Sequence, residues 1–406
     1  MKTNDLIKSK NDCCGCGLCA NKCPKGAIQM KEDEFGFFFP EIDEKKCVDC
    51  KSCKLNCVYQ NLNIVEEKAF AQKAYISYCK DLNSLLFSSS GGVFGSVAYN
   101  FIKSGGIVYG CSMEYENELT PKHIRVTQIN DLEKLKGSKY VQSSIFDVFS
   151  KIKDDLKNGN EVLFSGTPCQ VASIKKYTQS IKSGQLYTMD IICHGTPSIK
   201  IFRDYIKVLE KKLNGKIINF VFRDKTNGWG CNAKVYYIDK KGKHHEKLIP
   251  SYLSSYYNHF LKSNIYRDNC YSCKYANNNR VGDITIGDYW GVEKEHPDLM
   301  KQNGGVIDSK KGVSCLLVNT DDGSNLLEKY GTDLQLFDTS FDRISAHNEQ
   351  LNNPTTPKGD RDKIMNDYIE YGYKYIDSEF DKNLSIKNKL KKHIPISVYK
   401  LKNKIK

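Results

Sequence analysis

Residues 13–24 read CCGCGLCANKCP, which places four cysteines in the order C-x2-C-x2-C-x3-C before a proline. Residues 47–57 read CVDCKSCKLNC and repeat that spacing without the proline. Each string offers three thiols from one tight loop and a fourth about one helical turn away, which suits a cubane whose irons are bound locally. The two strings therefore predict two [4Fe-4S] clusters and one-electron chemistry.

The doubled string is typical of bacterial two-cluster ferredoxins, in which the fourth cysteine of each string serves the other cluster. It predicts an α+β ferredoxin-like module over residues 1–66, while Cys14 is expected to be a bystander. The expected ligands of the first cluster are Cys13, Cys16, Cys19 and Cys57, and those of the second are Cys47, Cys50, Cys53 and Cys23.

Two other uses of these cysteines fit less well. Zinc sites usually show C-x2-C pairs separated by a longer loop, and a disulfide scaffold requires an oxidising compartment. The leader Met1–Asp12 is polar and has neither an apolar core nor a small-residue cleavage site. It therefore does not resemble a signal peptide, and we expect a cytoplasmic protein.

Length and charge limit the remaining possibilities. A chain of 406 residues predicts two or three domains, and no segment approaches the roughly 18 apolar residues of a membrane span. The net charge is +13, and nine lysines lie between Lys382 and Lys406. We expect no nucleic-acid partner. A lysine-coated helix docked on the body and a weak contact of this tail with an anionic membrane surface both remain open.

Beyond the module, the chain alternates strand and helix patterns, which indicates an α/β domain. A link over residues 66–80 leads to a helix that starts after the turn Ser88–Gly92 and stops at Gly105. Further helices are expected over residues 145–156, 199–213 and 252–261. Strands are expected over residues 106–111, 123–129, 161–164, 187–192, 217–222, 283–287 and 313–319.

Four later cysteines suggest a third cluster. Cys169 and Cys193 each fall just past the carboxyl end of a predicted strand, which is the edge where open α/β sheets bind ligands. Cys270 and Cys273 supply another C-x2-C. The alternative is that Cys169 and Cys193 are simply buried thiols, since free cysteine is often buried. Spacing does not decide between these two interpretations.

An ordered set of motifs over residues 75–345 resembles the family formed by the beta subunits of the deazaflavin coenzyme hydrogenases and dehydrogenases. The motifs are SSSGGV (88–93), GSKYVQS (137–143), SGTPCQ (165–170), CHGTP (193–197), FRDK (222–225), CYSC (270–273) and GDITIGDYWG (282–291). The resemblance implies a bound FAD, a third [4Fe-4S] cluster on Cys169, Cys193, Cys270 and Cys273, and hydride exchange with a deazaflavin or a comparable acceptor.

Several residues are candidate flavin contacts. Ser89, Ser90, Gly91 and Gly92 open a helix and would suit a pyrophosphate, although an ordinary helix-entry turn explains them too. The resemblance adds Lys139 and Gln142 as cofactor contacts, and Thr167 is a further candidate contact. His194 and Lys139 are the catalytic candidates. Arg223 and Lys225 would neutralise an anionic cofactor, and Asp283 and Asp288 would position the ribityl chain. Structural roles stay open for His194, Arg223 and Asp283.

We therefore expect an α+β ferredoxin-like module (1–66), an α/β flavin-binding domain (75–345) and a helical, basic tail (346–406). The expected function is an iron–sulfur flavoprotein oxidoreductase that converts single electrons into hydride equivalents. Its expected partners are a low-potential electron-carrier protein and a small-molecule hydride acceptor. The alternatives are an electron-transfer adaptor within a larger enzyme, a flavin enzyme of polysaccharide biosynthesis and a membrane-surface scaffold.

Overall fold

The N-terminal part is a small α+β unit. The computed structural model describes residues 1–61, 71–115 and 119–404. Strand β1 (Ile28–Glu32) pairs antiparallel with β2 (Phe38–Ile42), and three short helices flank this hairpin: α1 (Thr3–Leu6), α2 (Leu18–Asn21) and α3 (Ser52–Leu55). The unit agrees with the ferredoxin-like prediction. The predicted boundary at residue 66 lies outside the described residues.

The main body is built on an eight-stranded mixed sheet in the order β13-β3-β12-β11-β7-β6-β4-β5. The four strands β4, β6, β7 and β11 run parallel in the middle, and antiparallel strands extend the sheet at both edges. The strands are β3 (Lys73–Cys79), β4 (Ile107–Glu114), β5 (Thr120–Val126), β6 (Glu161–Gly166), β7 (Gln185–Ile191), β11 (Ile284–Asp288), β12 (Ser314–Val318) and β13 (Leu334–Thr339).

Strand β3 corrects one prediction. Residues 66–80 were expected to be a link, but β3 lies inside the sheet between β12 and β13. Its residues Ile76 and Ser77 are fully buried. Both partners of β3 come more than 230 residues later in the chain. Because these pairings are long-range, no turn or hairpin signal near β3 marks it as a strand.

Helices cover both faces of the sheet. On one face, α5 (Val93–Lys103) and α11 (Asp321–Tyr330) pack on side chains that include Leu163. On the other face, α6 (Phe149–Lys157) and α7 (Pro168–Thr178) pack on Val162 and Phe164. Successive residues of a strand point to opposite faces, so a strand covered on both sides reads as a continuous apolar run. This explains the sequence VLF in β6.

A second sheet, in the order β10-β9-β8, forms a separate core with four helices. Its strands are β8 (Gly215–Val221), β9 (Asn232–Asp239) and β10 (His244–Pro250). Its helices are α8 (Ile199–Leu213), α9 (Ser255–Leu261), α13 (Arg361–Tyr371) and α14 (Tyr373–Lys382). Met365 and Tyr368 of α13 and Tyr373 of α14 are buried in this core. The predicted tail is therefore helical, but its first half belongs to the body.

Other helical segments connect these units. The remaining α-helices are α4 (Leu82–Phe87), α10 (Val292–Glu295), α12 (Phe341–Ser345), α15 (Ile386–Lys391) and α16 (Ile396–Lys404). The 3₁₀ helices are Lys10–Asp12, Ile129–Lys134, Ser251–Leu253, Asp268–Ser272, Pro297–Leu299, Lys301–Asn303, Ser309–Lys311 and Glu349–Leu351.

The basic end of the chain docks on the body. Lys392 pairs with Asp381 and Lys400 pairs with Glu246 of β10, while Tyr399 is buried. This arrangement agrees with a docked helix, although Ile386 and Leu390 stay exposed. Weak membrane contact through this segment stays a prediction. Within the described ranges, no helix combines the length and apolar character needed to cross a bilayer.

The ferredoxin-like module is held against the body by buried contacts. The Tyr59 hydroxyl donates to the carbonyl oxygen of Asn269 at 3.0 Å, and the Tyr275 hydroxyl donates to that of Val58 at 2.6 Å. Leu18, Val58 and Tyr59 share one hydrophobic core with side chains of α6, α7 and β6. The position of the module relative to the main sheet is therefore fixed by packing.

A glycine pair tests this packing. Gly17 has φ +75°, and an added Cβ would lie 2.4 Å from a ring carbon of Phe146 in the body. Gly26 has φ +57° with open space around it. Both alanine variants should lose about 1–2 kcal/mol to left-handed backbone strain. We expect Gly17→Ala to lose about 1–3 kcal/mol more, because the Phe146 ring must move. Thermal unfolding midpoints measure the difference, and equal midpoints would contradict it.

Candidate functional site

A cavity of about 350 Å³ opens at the carboxyl ends of the parallel strands. Its volume lies within the roughly 300–1,000 Å³ of small-molecule sites. Strand β6 leads into Thr167 and Cys169, and the neighbouring parallel strand β7 leads into Cys193 and His194. All four of these residues line the cavity. The prediction that these two segments lie side by side at one sheet edge is confirmed.

Four thiols meet at the cavity, and we call Cys169, Cys193, Cys270 and Cys273 the cavity thiol group. Burial raises the pKa of Cys270 to about 12, and the nearby thiols of Cys273 and Cys169 add to this increase. Burial likewise raises the pKa of Cys193, again with a contribution from the other three thiols. These mutual effects place the four sulfurs close together, as the predicted third cluster requires.

The cysteine strings of the module also form two groups. The proximal thiol group consists of Cys13, Cys16, Cys19 and Cys57, and the distal thiol group consists of Cys23, Cys47, Cys50 and Cys53. Burial raises the pKa of Cys57 to about 11, and Cys16 and Cys13 act on it in the same direction. The distal thiols line a separate small cavity. Each string thus places its fourth cysteine beside the first three of the other string. Their roles as cluster ligands stay a prediction.

Sites for a single metal ion are not evident. Throughout the part of the chain that the structure describes, no group of three His, Cys, Asp or Glu side chains is arranged to bind one metal ion. In a [4Fe-4S] cluster each cysteine binds a different iron, so the four sulfurs stand farther apart than the ligands of one zinc ion. The metal group that these thiols hold stays a prediction.

Cys14 connects two of the groups. It was expected to be a bystander, but its buried thiol lines the same cavity as the thiols of Cys16 and Cys169 and is close enough to both to shift their pKa values. These contacts raise the pKa of Cys14 well above its usual value, and they lower that of Cys169 to about 7. The proximal and cavity thiol groups are therefore neighbours. Sequence spacing could not reveal this contact, because it joins residues 155 positions apart.

The turn before α5 forms another wall of the cavity. Ser89, Ser90 and Gly92 line it, and Gly92 has φ +82° at the helix N-cap. Gly91 does not line the cavity: its added Cβ would lie 2.3 Å from the Ser77 carbonyl oxygen. The prediction for Gly91 is therefore corrected, since this glycine permits the turn to lie against β3.

Gln142, Thr167 and Lys139 also line the cavity. The Gln142 amide nitrogen donates to the Cys14 carbonyl oxygen at 3.3 Å, while its buried Oε1 has no partner among the residues that the structure describes. The Lys139 ammonium donates to the carbonyl oxygens of Lys134, Leu135 and Lys136. Burial lowers the pKa of Lys139 to about 8. Because its three donors are in use, Lys139 supports the cavity wall and has no donor left for a ligand.

Two predicted cofactor contacts do not reach the cavity. The Arg223 guanidinium is buried in an ion pair with Asp288 at 2.7 Å, so its charge is already neutralised. Asp283 accepts hydrogen bonds from the backbone N–H and the hydroxyl of Thr188 at 2.7 and 2.6 Å. Asp283 precedes β11, whereas the cavity lies at the carboxyl end of that strand, where Asp288 lines it. Both predictions are corrected.

Two histidines line the cavity. Burial lowers the pKa of His194, which keeps the imidazole neutral near pH 7. His123, which the sequence pattern marked only as part of a strand, stacks on Phe164 with 5.2 Å between ring centroids. Its Nε2 donates to the Ser165 carbonyl oxygen at 2.9 Å, and burial lowers its pKa to about 4. No local signal distinguishes this histidine from other strand residues.

Comparisons with known families agree with this architecture. Residues 159–338 match the family described as the C terminus of the coenzyme F420 hydrogenase/dehydrogenase beta subunit. Residues 12–62 match the 4Fe-4S dicluster domain. The chain is therefore similar to the coenzyme F420 hydrogenase/dehydrogenase beta subunits over this C-terminal region, and it carries an N-terminal 4Fe-4S dicluster domain. The resemblance predicted from the sequence motifs is confirmed.

Individual relatives match parts of the chain. The F subunit of the F420H2 dehydrogenase of Methanosarcina mazei is 20% identical over 208 residues, which is 48% of this chain and 58% of that protein. An uncharacterized ferredoxin of Methanocaldococcus jannaschii is 41% identical over 72 residues, or 18% of this chain and 41% of that one. The chain thus spans less than two thirds of either protein. A chain of the F420-reducing [NiFe] hydrogenase complex from Methanosarcina barkeri aligns with 14% identity and a TM-score of 0.46, over 73% of this chain and 92% of that chain.

His123 should make the stability of the protein depend on pH. Its folded pKa of about 4 lies below the unfolded value of about 6.5, so the unfolded state binds more protons between these values. The contribution of the neutral His123 to the free energy of unfolding is then fully present above about pH 6.5, and it is lost as the pH falls towards 4. The free energy of unfolding changes with pH, and we expect His123→Gln to reduce the slope of that change by about 1 kcal/mol per pH unit near pH 5. Denaturant titrations measure this slope.

The exposed histidine of β10 gives the matched control. The same substitution there, His244→Gln, should leave the slope as in the wild type. An unchanged slope in His123→Gln would mean that this imidazole is protonated in the folded state.

Proposed function

We propose that this chain is an iron–sulfur flavoprotein oxidoreductase that couples one-electron transfer through [4Fe-4S] clusters to two-electron hydride transfer at a bound flavin. One observation carries the proposal. A single cavity is walled by the turn at Ser88–Gly92, by the cavity thiol group and by Cys16 of the proximal group. Residues suited to hold a nucleotide cofactor thus lie beside residues suited to hold clusters.

The cavity residues fit a flavin in three respects. The N-terminus of α5, an eleven-residue helix, opens next to Ser89 and Ser90, which favours a pyrophosphate. Gln142 Oε1 is buried without a donor, so it can accept an N–H of a ring system. The lining is mainly apolar with a few polar groups, as is usual for cofactor sites. A bound flavin would supply the chemistry that exchanges a hydride for two single electrons.

The protein would hold and protect the reacting groups. Gln142 and Thr167 would orient the cofactor from one wall, and neutral His194 would offer a hydrogen bond on another. Trp290 lines the cavity and stacks on Trp229, with 4.7 Å between ring centroids. Arg223 and Asp288 hold this side in place, since the Trp229 indole also donates to Asp288 at 3.1 Å.

The partners follow from the order of the groups. Cys50 of the distal thiol group is exposed, whereas the four cysteines of the cavity thiol group are half-buried. A low-potential electron-carrier protein would therefore exchange electrons at the distal group, and the hydride acceptor would enter the cavity. A deazaflavin is the first acceptor to test, because the family and the Methanosarcina relative are both named for coenzyme F420.

The third cluster is tested by counting iron. Anaerobically purified protein should contain about 12 irons per chain, four for each of three [4Fe-4S] clusters. Cys270→Ser removes one ligand of the cavity thiol group and should lower the count by about four. Cys111→Ser is the matched control, because Cys111 lines the same cavity outside the group. A wild-type count of about eight would restrict the clusters to the module.

The flavin is tested by extracting and quantifying it from the same preparation. We expect Gln142→Leu to retain less flavin than the wild type, because it removes the unpaired acceptor. Gln179→Leu changes an exposed glutamine at the end of α7 and should retain flavin fully. A wild-type protein that binds no flavin, even after reconstitution, would replace the enzyme proposal with an electron-transfer adaptor. Acceptor screening would then separate a deazaflavin from a polysaccharide precursor.

A further inference from the structure

Arg267 lies in the wall between the proximal and cavity thiol groups. Its side chain is 1% exposed and lines the cavity. Its Nε donates to the Cys13 carbonyl oxygen at 2.9 Å, and its guanidinium carbon lies 4.0 Å from the centroid of the Phe39 ring. An added Cβ at Gly15 would lie 3.1 Å from its Nη1. The side chain is therefore fixed in one position beside the first cysteine string.

The charge of Arg267 has no partner in the described part of the chain. Two other buried arginines, Arg223 and Arg280, pair with aspartates at 2.7 and 3.2 Å. By contrast, Nη1 and Nη2 of Arg267 are buried and find no acceptor among the described residues. A guanidinium has five N–H donors, and burying it without a counter-charge is costly. The unused donors point to an anionic group that the protein atoms do not provide.

Arg267 touches the segments that carry both neighbouring thiol groups. Its Nε bonds to the backbone of Cys13 in the proximal group, and its own carbonyl oxygen accepts from the backbone N–H of Cys270 in the cavity group at 3.0 Å. Its side chain lines the cavity together with Cys16 and the four cavity thiols. The guanidinium therefore lies between the proximal and cavity thiol groups.

We propose that Arg267 is the counter-charge shared by the two [4Fe-4S] clusters of the proximal and cavity thiol groups, and that it raises the reduction potential of both. This inference rests on the proposed function, since it needs the third cluster. Arg267 is a positioning and tuning residue, because it neither takes nor gives an electron. Exchange of one electron between two bound clusters would break or form no bond and move no proton at Arg267.

The direction of the effect follows from charge. A thiolate-bound cluster is negative, and reduction adds one more negative charge, so a fixed cation nearby favours the reduced form. The effect is strong in a buried site, where water does not screen it. A single cation between two clusters shifts both potentials the same way, which keeps transfer between them reversible. None of the distal thiols lines this cavity, so the distal cluster serves as an internal reference.

The test is a dithionite titration of the anaerobic protein with redox mediators, followed by electron paramagnetic resonance. Arg267→Gln should lower the midpoint potentials of the proximal and cavity clusters by at least about 59 mV, a tenfold change for a one-electron couple. The distal midpoint should not move. The spectrum of Cys270→Ser identifies the cavity signal. Arg361→Gln is the matched control, because that guanidinium already pairs with Asp268 at 2.8 Å and lies outside the cavity wall.

The outcomes separate this inference from the proposed function. A wild-type protein without the cavity cluster would overturn the proposed third cluster. With about 12 irons present, unchanged midpoints in Arg267→Gln, a shift of only one cluster, or an equal shift of the distal cluster would each overturn the role of Arg267. If Arg267→Gln loses iron, its midpoint potentials cannot be compared with those of the wild type. The variant Arg267→Lys then tests the role of the charge. That variant keeps the charge, so it must hold all three clusters with both midpoints within about 59 mV of the wild type.

Discussion

Two tyrosine hydroxyls hold the ferredoxin module against the body, and the proposed redox path depends on this contact. Tyr59 of the module donates to the Asn269 carbonyl oxygen, and Tyr275 of the body donates to that of Val58. Asn269 directly precedes Cys270, and Tyr275 comes two residues after Cys273. The same hydrogen bonds therefore position the module and the C-x2-C that completes the cavity thiol group. Because both are buried, the separation of the two thiol groups is fixed by the fold.

Burial sets the chemistry of the cavity. It raises the pKa of several thiols and lowers that of His123 and His194, since a site without water disfavours charge. The buried charges of Arg223 and Arg280 meet carboxylates. Only Arg267, among these three arginines, faces the cavity without one. In an apolar site, a charge without a counter-charge interacts strongly with the groups around it, because little water screens it. The guanidinium of Arg267 can therefore influence both thiol groups.

The corrected predictions have a common geometric cause. Asp283 and Asp288 stand five residues apart in one motif, and both were candidates to position the ribityl chain, with Asp283 predicted as the cofactor contact. Asp283 precedes strand β11 and Asp288 is its last residue, so the two lie at opposite ends of that strand. Of the two, Asp288 lines the cavity. The ion pair with Asp288 holds the Arg223 guanidinium outside the cavity lining. Lys139 lines the cavity, but its donors serve the preceding turn. A motif gives proximity along the chain and does not give the direction of a side chain.

Local spacing in the chain was enough to predict several features. The cysteine strings predicted the module and the grouping of its thiols, and the glycine-rich turn predicted the start of α5. The alternating strands and helices predicted a sheet whose carboxyl edge carries Cys169 and Cys193. Three features could be seen only in the folded chain: the position of β3, the inclusion of α13 and α14 in the core, and the placement of Cys14 beside Cys169. These features join residues far apart in the chain. They are decided by packing and buried charge, which local patterns do not encode.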